Sequence, residues 1–452
     1  MYKIVCACFL LFSILSCSSG DNNPPAEEEN TAPVLLTTNP ASNATVPVTT
    51  KAVDFIFDRN IGNLDRPKIT LNSEPVTEVS RVEKILTVSL GTLKEKTNYT
   101  VALKKGAVQA IPGTVNQEEI TLAFSTGEAP GVTPTLVTPN PSVQAQKLYD
   151  YLRENYGKKI ISGTMANVAW NINEAEWVHT HTGKYPALNG FDYIHLYASP
   201  ANWINYENTQ VVEDWWNANG LVTASWHWNV PKSEGSTDYA FYTAENSFDI
   251  REALKEGTWQ NRVIKADLDK IADNLLLLQK KNIPVLWRPL HEAAGGWFWW
   301  GAKGAEPCKA LWKLMFDAFR AKGLNNLIWA WTAEPGDDAW YPGDNYVDII
   351  GRDIYNKTSA SSVLSDYAGL KDRYPGKIIT LSECGNVAQI SAQWSAEVTW
   401  SWFMPWYDYE RTNDLNSTAF NGETHQHANI VWWKNAMNQK FVVSRDLLPN
   451  LK

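Results

Sequence analysis

From residue 143 onward the chain repeats one pattern: a strand-like apolar run, then a segment with room for a helix. Strands are predicted near 159–163, 185–191, 221–226, 284–288, 326–331, 348–352, 377–382 and 401–405. Helices are predicted at 262–281 and 309–322 among others, and in the first of these Ile264, Leu268, Ile271, Leu275 and Leu278 recur at helical spacing. Eight such units over the rest of the chain predict an α/β fold, a closed (β/α)8 TIM barrel. A doubly wound open sheet would need a glycine-rich phosphate loop after its first strand. Ile161-Ser162-Gly163-Thr164-Met165 has one glycine and no lysine. In a barrel, residues at the carboxyl ends of the strands line the active site. Every candidate can be tested by that position.

The front of the chain is built differently. There are 22 tryptophans, and the first is Trp170. Residues 31–127 read as short alternating runs such as Ala52-Val53-Asp54-Phe55-Ile56-Phe57, separated by turn residues. That pattern predicts a small all-β sandwich. Its segments PVLLTTNPASNATV, FDRNI and LAFSTG resemble bacterial Ig-like domains. The aromatics available there are Phe55, Phe57, Tyr99 and Phe124, most of which alternation would bury, so a spacer is expected rather than a sugar-binding module. Residues 128–142 are proline-rich and make the linker to the barrel at 143–452.

Residues 1–16 carry Lys3 and an apolar run too short to span a bilayer, and read as a signal peptide. The run ends in Ile14-Leu15-Ser16-Cys17, which resembles a bacterial lipobox. A mature chain lipidated at Cys17 is expected, with 17–30 as a flexible acidic tether. This places the protein in the bacterial envelope, as an outer-membrane lipoprotein facing the surroundings.

A formal net charge of −9 gives no electrostatic footprint for nucleic acid and fits a neutral partner. Of five cysteines, only Cys308 and Cys384 lie beyond the N-terminus, so a single disulfide is available at most. No CxxC pair suggests structural zinc. His179 and His181 would not share a helix face, and His425 and His427 lack an evident third ligand. No metal or cofactor is expected. Asp337-Asp338 reads as a solvated loop.

Two strand ends carry the chemistry. The fourth runs into Arg288-Pro289-Leu290-His291-Glu292, then Trp297, Trp299 and Trp300. The seventh ends in Leu381-Ser382-Glu383-Cys384-Gly385-Asn386. Two carboxylates facing each other across a barrel mouth suit glycosidic bond cleavage, which needs one proton donor and one ionised group. The competing reading is that Glu292 only forms an ion pair with Arg288.

These residues carry a resemblance. The region from about 142 to 452 resembles glycoside hydrolase family 26, best known for endo-β-1,4-mannanases. The matching segments are 161–165, 225–229, 288–301, 351–355, 381–386 and 402–406. The resemblance implies a retaining enzyme with Glu292 as acid/base and Glu383 as nucleophile, acting on β-mannan without cofactor, here as a monomer. It also implies that His227 and His291 contact sugar, although in a continuing strand His291 would point away from Glu292. Trp297 and Trp406 are implied as platforms at the cleavage subsite; Trp402, Trp299 and Trp300 are read as either core or support behind the residues that touch sugar, with Trp402 counted among the substrate-binding residues. Tyr355 is expected to hydrogen-bond Glu383 and Arg288 to orient it. Asp353 is left between a sugar hydroxyl and a neighbouring arginine. Same-family β-glucanase, β-1,3-xylanase and mannobiohydrolase activities are the alternatives, and a non-catalytic glycan-binding lipoprotein is the reading from another class.

Overall fold

The computed structural model describes residues 30–91, 93–128, 131–167, 170–196 and 204–452. The segments read from the sequence as signal peptide and tether lie outside these up to residue 29, Cys17 included. Among the described residues no helix is long and apolar enough to cross a membrane. The chain divides into two compact units at Glu128/Ala129.

The first unit is all β. One sheet holds Leu35–Asn39, Ala52–Phe57, Ile85–Ser89 and Val79–Val82. Another holds Ala44–Val46, Ile120–Thr126, Asn98–Leu103, Ile69–Leu71 and Glu74–Pro75. A two-stranded ribbon joins Val108–Ile111 to Asn60–Leu64. Alternation decides what is buried: Val53, Phe55 and Phe57 face in, while Asp54 and Ile56 are only partly covered. Phe55, Phe57, Leu86 and Val88 meet Val101, Leu103, Leu122 and Phe124 in one core. Most of the four aromatics there were expected inside, and Phe55, Phe57, Tyr99 and Phe124 are all buried.

The second unit is a closed barrel of eight parallel strands. They are β1 (Ile160–Met165), β2 (Leu188–Asp192), β3 (Leu221–Ser225), β4 (Val285–Arg288), β5 (Leu327–Thr332), β6 (Ile349–Tyr355), β7 (Ile378–Gly385) and β8 (Trp402–Pro405). They pair in that order, and β1–β2 and β1–β8 pairings close the ring. Nearly every strand residue is buried, because helices cover the outside and side chains fill the inside.

Helix starts follow local capping. Thr258 accepts a hydrogen bond from Asn261 N at 3.0 Å, so the helix runs Trp259–Lys280 and begins before the first apolar position of the periodic pattern. Ser142 does the same for Val143–Asn155 and Asn429 for Ile430–Met437.

Two strands differ from expectation in a way that matters. Both β6 and β7 run three residues further than their apolar runs, so Asp353, Tyr355 and Glu383 lie within the sheet. Arg352 pairs with Leu381, yet Asp353 pairs with Glu383, so Ser382 is an extra residue in β7. Such a bulge re-aims the side chains that follow it.

Cys308 and Cys384 are free thiols, each buried. The Asp337-Asp338 reading needs correction: Asp338 is exposed, but Asp337 is buried and accepts from Arg373 Nη1 at 2.6 Å. A buried carboxylate needs such a partner.

Candidate active site

The carboxyl ends of the strands bring together three acids. Oxygens of Glu292, Asp353 and Glu383 lie within 4.8 Å of one another. Among the described residues this is also a group that converges closely enough for a cation. However, Arg288 at the end of β4 already reaches into it. Its Nη1 donates to Asp353 Oδ2 at 2.8 Å and its Nη2 to Glu383 Oε2 at 2.5 Å. The guanidinium fills the place a cation would take between these two. It is nearly inaccessible. Burial works against its charge, but the carboxylates of Asp353 and Glu383 outweigh this and raise its pKa. Arg288 thus pairs with Asp353 and Glu383 rather than with Glu292, and the ion-pair reading of Glu292 fails.

Glu383 is further held by Tyr355, whose hydroxyl donates to Oε1 at 2.5 Å. Burial, then the charge of Glu383, raise the Tyr355 pKa far above its ordinary value, so it stays a donor. Asp353, bonded by Arg288, also accepts from Ser382 Oγ at 2.7 Å. The choice left open by sequence is settled for the arginine.

The two glutamates sit in unequal surroundings. Burial pushes Glu383 up, and Asp353 adds to this, but Arg288 and the Tyr355 hydroxyl pull it back. Burial, then Asp353 and Glu383, push Glu292 further. Glu292 accepts from the Trp297 indole N–H at 3.1 Å. The lasting asymmetry is that Glu383 has two strong donors for its charged form.

The turn after β4 explains His291. Leu290 and Glu292 both have left-handed backbone, at φ 49° and 51°. These break the strand alternation, so His291 turns inward. Its Nε2 lies 3.1 Å from His227 Nε2, and Trp300 Nε1 donates to its carbonyl at 2.9 Å. His227 in turn bonds the Asp192 carboxylate through Nδ1, and its backbone N donates to Asp192 Oδ1 at 3.1 Å. The Nδ1 contact to Asp192 leaves His227 Nε2 facing His291 Nε2. Burial, then Arg288, hold the His291 pKa well below its ordinary value. Asp192 is the last residue of β2. Strand-end position is the sequence signal that would have found it.

The tryptophans separate by depth. Trp297 is 44 % exposed on the rim, over the Gly295 backbone where a Cβ would collide with its ring. Trp406 follows β8, with 7 % exposure and its ring 5.7 Å from His227. Trp299 and Trp300 are fully covered; Trp299 donates to the Trp228 carbonyl at 2.6 Å. Trp402 is a correction. It opens β8, four residues below Trp406, and is 2 % exposed. Its neighbour Phe403 packs outward on Trp432 and Trp433, so Trp402 faces the barrel interior as core. It does not reach the mouth.

Tyr242, Tyr407 and Tyr409 were not singled out from the sequence. Tyr242 stacks on Phe298 at 5.6 Å, Tyr407 packs on Trp406 at 5.1 Å and Tyr409 on Tyr407 at 5.2 Å, which places them around the mouth; burial first, then charges that include Glu383, raise all three pKa values. The histidine pairs do structural work. His179 stacks on Tyr185 at 4.0 Å and His181 packs on Trp177. His425 Nε2 meets Glu174 Oε2 at 3.0 Å, while its Nδ1 accepts from His427 N and Ala428 N.

Comparison with known proteins follows the same line. Residues 137–434 match the model of the glycosyl hydrolase family 26. Mannan endo-1,4-beta-mannosidase A of Piromyces sp. is 35 % identical over 331 residues, covering 70 % of this chain and 51 % of that protein. Mannan endo-1,4-beta-mannosidase of Thermothelomyces thermophilus is 39 % identical, covering 61 % of this chain and 57 % of that one. The chain thus spans about half the length of the curated relatives it matches. A crystal structure of the family 26 domain of an endo-beta-mannanase/endo-beta-glucanase from Prevotella bryantii is 40 % identical, with a TM-score of 0.63, covering 70 % of this chain and 99 % of that one. A ruminal family 26 endo-beta-1,4-mannanase is 25 % identical, with a TM-score of 0.62, covering 95 % and 93 %.

Proposed function

The chain belongs to glycosyl hydrolase family 26, and from that premise we propose that it is a retaining endo-β-1,4-mannanase. The observation that carries the reading is the pair Glu292 and Glu383, with oxygens within 4.8 Å and unequal support, since only Glu383 receives hydrogen bonds from Arg288 and Tyr355. Retaining glycosidases hold their carboxyl groups about 5–5.5 Å apart, and inverting ones leave room for water between them.

In the first step Glu383, kept ionised by Arg288 and Tyr355, attacks the anomeric carbon. Glu292 gives its proton to the glycosidic oxygen, and the leaving sugar departs. In the second step the Glu292 carboxylate takes a proton from water, the water oxygen attacks the same carbon, and the ester to Glu383 breaks. Both steps invert that carbon, so its configuration is retained. The acid must begin protonated and the nucleophile ionised, which is the order their surroundings favour. His227 and His291, bonded to each other and to Asp192, form the wall beside Trp406 on which the sugar packs. Trp297 and Trp406 present indole faces to sugar C–H groups.

The test is hydrolysis of mannan, galactomannan, lichenan and β-1,3-xylan, with product sizing. Mixed manno-oligosaccharides from mannan support the proposal. Release of mannobiose alone makes it exo-acting, and preference for lichenan or xylan assigns another substrate of the family. No sugar from any of them leaves a glycan-binding protein.

We also infer that Cys17 is lipidated and anchors an enzyme monomer at the outer surface of the bacterial envelope, with the Ig-like unit as spacer. The lipobox-like Ile14-Leu15-Ser16-Cys17 supports this. Radiolabelled palmitate should enter the wild-type chain and not Cys17→Ala; equal labelling of both would refute it.

A further inference from the structure

This chain is rich in aromatic rings, yet it leaves few of them open to solvent. Among the described residues the strongly exposed aromatics are Tyr409, at 61 %, and Tyr242 and Trp297, at 44 % each. A single exposed ring needs no explanation, but these three all stand at the barrel mouth. Trp297 already has a place at the cleaved bond. Tyr409 is the most open of the three and has no part in the double displacement.

A slack loop does not explain its exposure. Tyr409 follows β8 by four residues, between Asp408 and Arg411, which are both buried. Arg411 Nε donates to Glu174 Oε1 at 3.0 Å, and its guanidinium lies 4.2 Å from the centre of the Trp177 ring. His425, further along the same loop, reaches the other oxygen of Glu174. Asn413 Oδ1 accepts amide hydrogens from Asn167 and Asn173, each at 3.0 Å. A buried carboxylate and guanidinium hold their geometry because neither can be left unpaired. The loop is thus fixed to the helix Asn173–Thr182, and it presents the Tyr409 ring from a rigid base.

Two lines of contact join that ring to the site. Tyr409 packs edge-on against Tyr407 at 5.2 Å, Tyr407 against Trp406 at 5.1 Å, and Trp406 against His227 at 5.7 Å. Exposure rises outward along this run, from buried Trp406 through half-buried Tyr407 to Tyr409. On its other side Tyr409 packs on His427 at 5.4 Å, and His427 packs on Tyr355, the residue that bonds Glu383. The Trp406 side chain also bonds the Tyr409 hydroxyl. Across the mouth, Trp297 bonds Glu292, and Tyr242 stacks on the adjacent Phe298. The two rims follow β4 and β8, which lie four strands apart either way round the ring. A linear glycan with its cleaved bond between Glu292 and Glu383 therefore leaves the mouth over rims that both carry open rings. A pyranose has apolar C–H faces that pack on such rings.

We propose that Tyr409 is a platform for a mannosyl unit beyond the two that flank the cleaved bond, and that it makes the efficiency of the enzyme depend on chain length. This rests on the mannanase reading above.

The experiment measures kcat/KM of the full-length enzyme on linear manno-oligosaccharides from mannotriose to mannohexaose. Tyr409→Ala should lower it about 10-fold on mannohexaose and less than about twofold on the shortest oligosaccharide that the wild type cleaves. Tyr409→Phe keeps the ring and loses only the hydroxyl, so it should stay within about threefold of wild type at every length. Thermal melting of both variants checks the fold. Equal losses at all lengths would mean that Tyr409 only supports Trp406 or the rim, and overturn the proposal. No loss at any length would overturn it too. A Tyr409→Phe variant as impaired as Tyr409→Ala would show that the residue acts through its bond to Trp406 and not as a platform, which also overturns it. A wild-type enzyme that cleaves none of the oligosaccharides overturns the mannanase reading itself, and a failure confined to the Tyr409 variants leaves that reading standing.

Discussion

The β-sandwich and the barrel are both made of strands, but they dispose of side chains in opposite ways. In the sandwich, each strand buries one face and leaves the other to solvent, as in Ala52–Phe57, where Val53, Phe55 and Phe57 pack inward. Its aromatic rings are consumed by the core. In the barrel, helices and interior layers bury both faces of each strand, so the polar side chains that converge for chemistry gather toward the strand ends. Arg288, Tyr355, Glu383 and Trp406 all stand there. A closed sheet thus concentrates charge at its mouth, and a sandwich has no equivalent point of convergence.

The comparison breaks most easily at Glu383. Glu383→Ala should lower kcat on mannan by at least about 10⁴-fold while circular dichroism and melting stay near wild type. Near-normal turnover would remove the nucleophile from the account. A smaller effect is expected at the rim. Trp297→Ala removes both the stacking face and the hydrogen bond to Glu292, and kcat/KM should fall about 10- to 100-fold.

Next in size is the support of the nucleophile. The Tyr355 hydroxyl lowers the Glu383 pKa, so Tyr355→Phe should raise it. Activity needs Glu383 ionised and Glu292 protonated, so it rises with pH through the first group and falls through the second. The acid limb of the Tyr355→Phe profile should therefore move to higher pH by roughly one unit, with kcat reduced about tenfold. An acid limb that stays put or moves to lower pH would contradict the bond. The smallest effect on activity belongs to the sandwich. Phe55→Ala should destabilise that unit by about 3–5 kcal/mol in denaturant titration and leave kcat on mannopentaose within about twofold. A parallel loss of turnover would mean that the two units are not functionally separable.

Much of this architecture was legible before any coordinates. Parallel barrel strands are buried on both faces, so they read as nearly continuous apolar runs, and all eight runs correspond to strands. What blurred was their ends. The apolar signal stops before Asp353 and Glu383, because polar residues continue β6 and β7 by pairing with each other across the bulge at Ser382. Helix starts shifted for a local reason, since Thr258 and not the periodicity marks the first turn. The site was half legible. Acids and tryptophans at strand ends drew attention to Glu292, Glu383, Trp297 and Trp406. Asp192 was passed over, because a single acid at a strand end looks like any loop residue. Trp402 was overvalued, because a tryptophan near a strand end gives no sign of its depth in the barrel.

The sequence by itself determined the strand count, the barrel and the two glutamates, because these depend on local apolar pattern and on position relative to it. Only the tertiary structure decided how they work. Arg288 ends β4, four residues before Glu292, yet it bridges Asp353 and Glu383 on β6 and β7. The left-handed turns at Leu290 and Glu292 bring His291 to His227, and the bulge beside Ser382 brings Glu383 opposite Asp353. Partners, depth and protonation arise from residues far apart in the chain, and ring closure alone brings them within reach of a Coulomb interaction or a hydrogen bond.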